Sequence, residues 1–99
     1  GLPARKHWIA YTLRIGGTLT LDPGAVRAVV ETGASLLPVG IREIEGDFVV
    51  GDALALVDQE GKELARGLAR VSAADLRAGD VHGPAVHRDD LVITPDDRS

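Results

Sequence analysis

The sequence predicts a mainly β domain with two short helices, dominated by a small barrel-like sheet. Three observations carry that prediction. Short apolar runs recur between clusters of turn residues, which marks strands at close intervals. The run "ALALV" from Ala53 is apolar on both faces, as in a strand covered on both sides in a small closed sheet. Two further segments are punctuated as helices at both ends, one from Asp22-Pro23 to Gly33 and one from Ser72 to Gly79.

Taken in order, "ARKHWIAYTL" opens with charge and carries Trp8 and Tyr11, two of the three aromatics. Ile9 and Leu13 lie four apart, which fits a short amphipathic helix; an extended arm packing Trp8 on the domain fits as well. Gly16 and Gly17 are expected to break this segment. Residues 1–17 are therefore read as a linker or arm joining a preceding domain, 18–94 as the domain, and 95–99 as a tail. "TLTL" places Leu19 and Leu21 on one strand face. Asp22 is a candidate N-cap and Pro23 suits the first helical position, where its missing N–H costs nothing. Val26, Val29 and Val30 form the expected inward stripe, with Arg27 and Glu31 outward. Gly33 stands where a left-handed C-terminal cap is wanted.

Pro38 cannot donate within a ladder and suits a strand entrance or bulge, so a strand is expected from Val39 to about Ile44. "EGDF" is a turn, and "DQEG" from Asp58 to Gly61 is a hairpin loop. "ELARGLARV" returns with Ala65, Gly67, Ala69 and Val71 on one face and Leu64, Arg66, Leu68 and Arg70 on the other. Ser72 with Asp75 resembles a capping box opening "AADLRA". "AVH" and "LVIT" read as two last short strands around the polar "RDD".

Composition narrows the function. At 99 residues the chain forms one domain, and without cysteine it has neither disulfides nor a thiolate metal site. No apolar run approaches the roughly 18 residues of a membrane span, and there is no secretory pattern at the N-terminus, so a cytoplasmic setting without membrane contact is expected. The absence of methionine leads us to expect a piece of a longer protein. The formal charge is −4, against the basic footprint of a non-specific nucleic-acid binder. Residues 1–21 hold three bases and no acid, leaving eight bases against the 15 acids of the remainder.

Catalytic patterns are weak. His82 and His87, near Asp89 and Asp90, have residue types zinc uses but no supporting spacing. Ser35 and Ser72 lack a G-x-S-x-G context or an obvious histidine partner, and neither "GDALAL" nor "IGGTLT" fits a phosphate loop. No catalytic, cofactor or metal site is expected in this chain. Arg66 and Arg70, about 13 Å apart on one strand face, with Lys62 nearby, could meet successive phosphates; the alternative is that each covers a leucine and faces solvent.

The stretches "GTLTLDPGAVRAVVETGASLLPVGI", "EGDFVVGDALALVDQEGKELARGL" and "AVHRDDLVIT" together resemble a PUA domain, most nearly the version at the C-terminus of glutamate 5-kinases. The resemblance covers nearly the whole chain and implies a pseudo-barrel of mixed strands. It also implies a surface used on RNA, carried here by Gly24, Ala25, Arg27, Ser35, Leu36, Leu37 and Gly40, to which Arg66 and Arg70 are added as candidates. In a metabolic kinase the same surface is expected to face another domain or subunit. Such a parent would phosphorylate the side-chain carboxylate of L-glutamate with ATP and magnesium, the first step of proline synthesis, in an N-terminal amino-acid kinase domain outside these residues. The alternative is an RNA-binding module, alone or attached to an RNA-modifying enzyme. One departure is plain: between Ser72 and Val86 the chain is shorter than the usual kinase version.

Overall fold

Alternation in the first strand buries Leu19 and Leu21 completely within β1 (Ile15–Leu21). The computed structural model describes residues 13–94, together with Lys6 and Ile9. After β1 come α1 (Pro23–Thr32), a 3₁₀ turn (Pro38–Gly40), β2 (Ile41–Glu45), β3 (Ala53–Val57) and β4 (Glu63–Leu68). The order ends with α2 (Ala73–Ala78), a second 3₁₀ turn (Arg88–Asp90) and β5 (Leu91–Ile93). The five strands form one sheet in the order β2-β1-β3-β4-β5. β1 and β3 run parallel, and every other neighbouring pair is antiparallel.

Central β3 is buried along Ala53–Leu56, which accounts for a strand apolar on both faces. A bridge between Leu36, just before β2, and Val86, just before β5, ties together segments leading to the two outer strands. Leu36 N–H donates to Val86 O at 2.9 Å, and Ala85 N–H donates to Leu36 O at 2.8 Å. This cross-tie curls the sheet into the expected pseudo-barrel.

Helix ends follow their sequence signals. The Asp22 carboxylate accepts from Ala25 N–H at 2.7 Å, and Gly33 closes α1 in the left-handed region at φ 67°. Ser72 Oγ accepts from Asp75 N–H at 3.1 Å, and Gly79 at φ 74° ends α2. The Asp58–Gly61 loop closes through Asp58 N–H to Lys62 O at 3.0 Å and Gly61 N–H to Asp58 O at 3.0 Å.

Several expectations need correction. Gly16 and Gly17 do not break the chain but lie inside β1. A Cβ on Gly17 would come within 2.5 Å of Phe48 Cδ2 and 2.7 Å of Glu45 O, so glycine there admits the buried Phe48 ring against the strand. Val30 is exposed, and the inward face of α1 is Ala25, Val26 and Val29, so the stripe is turned toward Ala25 and away from Val30. Val39 belongs to the 3₁₀ turn that Pro38 opens, and β2 starts only at Ile41. "AVH" contributes the single bridge at Val86 instead of a strand. The helix-or-arm question around Trp8 and Tyr11, and the tail 95–99, lie outside the described residues.

In the 72–86 region, α2 is clamped to the end of β2 and the turn that follows it. Arg77 Nη2 donates to Gly46 O at 2.8 Å and Ile44 O at 3.3 Å, and Nη1 to Asp47 Oδ1 at 3.3 Å. Ala73 N–H adds a bond to Phe48 O at 2.9 Å.

Candidate functional site

Where β1 hands over to α1, the chain doubles back through residues 34–40 and leaves a cleft of about 340 Å³ against the helix. Its position is set by backbone. Asp22 N–H donates to Gly40 O at 2.9 Å, drawing the 3₁₀ turn onto the start of α1. A Cβ on Gly40 would lie 2.5 Å from Ala25 Cβ, so the approach of turn to helix requires glycine at that position. Ala25 and Ala28, three apart on the helix, keep the inner wall low.

The cleft collects six of the residues singled out from the sequence: Gly24, Ala25, Ser35, Leu36, Leu37 and Gly40. Leu36 is a core residue whose edge reaches the cleft; Leu37 is half exposed at its rim. The other three candidates lie elsewhere. Arg27 is exposed on α1 and does not line the cleft. Arg66 is half-buried on β4, with Nε 2.9 Å from Glu63 Oε2 and Nη2 3.3 Å from Glu63 Oε1. Arg70 lies past the end of β4, its N–H donating to Ala85 O at 2.8 Å. Since β4 ends at Leu68, the expected pair of arginines along one strand face is not formed as a ladder.

Sequence reasoning missed Ala28, Val29, Ala34 and Val39 as lining residues. The signal was there for Ala25 and Ala28, whose spacing leaves a shallow strip on the helix; Val39, 87% exposed, was hidden in an expected strand.

Chemically the cleft is apolar, and its single charged lining residue is an acid, Asp22. Four unsatisfied N–H groups at a helix start attract anions, but the Asp22 carboxylate already occupies that position. Ser35 Oγ accepts from Arg88 N–H at 2.8 Å, which makes it a structural hydroxyl between the two halves of the cross-tie. His87 Nδ1 accepts from Asp89 N–H at 3.0 Å and so caps the second 3₁₀ turn. Among the described residues no group of three His, Cys, Asp or Glu could hold a metal ion, and no helix is long and apolar enough to cross a membrane. The arrangement suits an apolar side chain or a close backbone approach.

Comparison with known proteins gives this geometry a family. The PUA domain model matches residues 17–91. The chain belongs to the PUA domain family. Among curated relatives, a glutamate 5-kinase of Synechococcus sp. is 60% identical over 74 residues, covering 75% of this chain and 20% of that protein. A glutamate 5-kinase of Bordetella pertussis is 44% identical over 105 positions, covering 92% of this chain and 28% of that protein. The chain thus spans about a fifth to a quarter of the length of these relatives. An alignment of 105 positions exceeds the 99 residues present, so the Bordetella protein carries residues this PUA domain lacks. Among solved structures, a PUA domain from Aeropyrum pernix, a tartrate complex, superposes with a TM-score of 0.70 at 27% identity, covering 83% of this chain and 45% of that one. An H/ACA ribonucleoprotein bound to a substrate RNA containing 2'-deoxyuridine gives a TM-score of 0.68 at 26% identity, covering 82% and 25%.

Proposed function

We propose that this PUA domain is a non-catalytic accessory domain of a glutamate 5-kinase, serving its regulation or subunit organisation. Similarity to glutamate 5-kinases along most of the chain supports the parent. The observation that carries the mode of action is the cleft: apolar walls, an acid in place of a base, and a half-exposed Leu37 beside an exposed Val39. Such a surface suits a protein neighbour, where apolar contacts supply affinity, and the neighbour is the amino-acid kinase domain or another subunit. On this reading the parent is a cytoplasmic enzyme that transfers the γ-phosphoryl of ATP to the side-chain carboxylate of L-glutamate, with magnesium, in proline biosynthesis. Those steps belong to the kinase domain, and this chain contributes no residue to them.

A second reading, an RNA-binding module, has one specific observation in its favour: the likeness to an H/ACA ribonucleoprotein carrying substrate RNA. Against it stand the formal charge of −4 and a cleft without a cation. The gene upstream of the Gly1 codon separates the two. An amino-acid kinase domain in the same frame is the expected result, and an RNA-modifying catalytic domain there would overturn the proposal. Assays of the isolated chain for glutamate-dependent ATP turnover are expected to match the buffer blank; turnover scaling with protein would contradict the non-catalytic role.

A further inference from the structure

We propose that a second surface, the groove between the C-terminal half of α1 and β5, binds an extended acidic segment of a partner protein that carries an apolar side chain. This groove, of about 240 Å³, shares only Val29 with the first cleft, and the proposal stands whether or not that cleft faces a kinase domain. Its floor includes Val29 and Val92, and its rim carries Val30 and Ile93, which are 39% and 41% exposed. Among the described residues, Lys6 and Arg88 are its charged lining residues, and no acid lines it. In a chain with 15 acids and 11 Lys and Arg, two cations beside exposed aliphatic side chains make a site of unusual sign.

The strand edge supplies the third element of recognition. Among the described residues β5 pairs only with β4 and ends the sheet order. Thr94 N–H donates to Leu64 O at 2.9 Å, so strand alternation turns the N–H and C=O of Ile93 away from β4. An added strand can use that edge, with main-chain bonds giving affinity and side-chain pockets giving selectivity. The negative end of the α1 dipole lies on the Val30 side. Carboxylates therefore belong at Lys6 and Arg88, and the apolar side chain between Val30 and Ile93. RNA could use the cations but would leave the aliphatic rim unpaired, so a peptide fits better.

The test uses the full 99-residue chain and a fluorescein-labelled decapeptide alternating glutamate and valine, followed by fluorescence anisotropy. Saturable binding is expected, weakening roughly tenfold in the double variant Lys6→Glu, Arg88→Glu and falling as salt rises from about 0.05 to 0.5 M. Ile93→Ser is expected to weaken binding without altering the salt dependence, and a lysine–valine decapeptide should not bind. All three side chains are at least partly solvent-exposed, and melting curves check that each variant stays folded; the salt series on the unmodified chain needs no variant. Absence of saturation up to about 1 mM peptide, or binding indifferent to both salt and charge reversal, would overturn the proposal. So would a single-stranded uridine oligomer that displaces the peptide and binds more tightly than it does.

Discussion

Two hollows flank α1 and share Val29, yet they present opposite chemistry. The cleft at the start of the helix has apolar walls and Asp22; the groove toward its end has Lys6 and Arg88 over an aliphatic floor. Concavity is common to both, so shape alone does not specify a partner; the sign of the lining charge does. The difference also runs through the backbone. The first hollow depends on Gly40 pressed against Ala25, and the sheet beneath the second depends on Gly67 pressed against Val86 and the turn before β5.

Glycine substitutions should therefore break the two sides separately. At Gly67 a Cβ would lie 2.4 Å from Val86 Cγ1 and 3.0 Å from Asp90 O, and that oxygen is backbone and cannot swing aside. Gly67→Ala is expected to cost about 3 kcal/mol, the upper part of the overpacking range, seen as a lowered denaturant midpoint at unchanged slope. Gly40→Ala meets another side-chain methyl, and the expected loss is about 1–2 kcal/mol, with the first cleft closed and peptide binding at β5 retained. Solvent-exposure footprinting of residues 34–40 would register the closure.

Smaller effects sharpen the comparison further. Gly33 has no neighbour within 4 Å of a built Cβ but sits at φ 67°, so its substitution acts through backbone strain alone. Gly33→Val is expected to cost about 1 kcal/mol or more, and Gly33→Asn less, because asparagine tolerates that region; thermal melts of the three forms check the ranking. Asp22→Ala removes the α1 cap and is expected to lower stability by about 1 kcal/mol, also measured by melting.

The smallest expected effect is a pH dependence on the β4–β5 side. Burial by itself would raise the Glu63 carboxyl. The hydrogen bonds from Arg66 and Thr94, and the Arg66 charge, outweigh it and hold the group below its ordinary value. A depressed folded value means that the unfolded chain binds the proton first. The stabilisation is therefore complete above the unfolded pKa and is lost as pH falls through the folded one. Comparing the chain with Thr94→Val across the acid range should show a gap at neutral pH, below about 1 kcal/mol, that closes in acid.

Legibility from sequence followed the range of the interactions. Asp22, Gly33, Ser72 and Gly79 act on residues within a few positions, and their roles could be read directly. The strand β3 was readable because burial on both faces leaves an unbroken apolar run. Gly17 was misread because its reason for being glycine is Phe48, 31 positions away in the chain and unmarked in local pattern. The same holds for "AVH", whose extended backbone is spent on one bridge to Leu36. For the cleft, the resemblance pointed to the α1 start and the 35–40 segment, whose residues the fold brings together, and the pairing of the Arg66 guanidinium with Glu63, three residues before it, was not weighed in the sequence reading.

The reading of the first cleft as a protein-facing surface is tested most directly by titrating the chain with a structured RNA near physiological salt. The expected result is no saturation tighter than about 10 µM, since a cleft without cations in an acidic domain cannot release enough counterions. Tight, salt-dependent binding that disappears when the exposed cleft residues are changed, in the double variant Leu37→Ser, Val39→Ser, would contradict it and make RNA the ligand of this PUA domain.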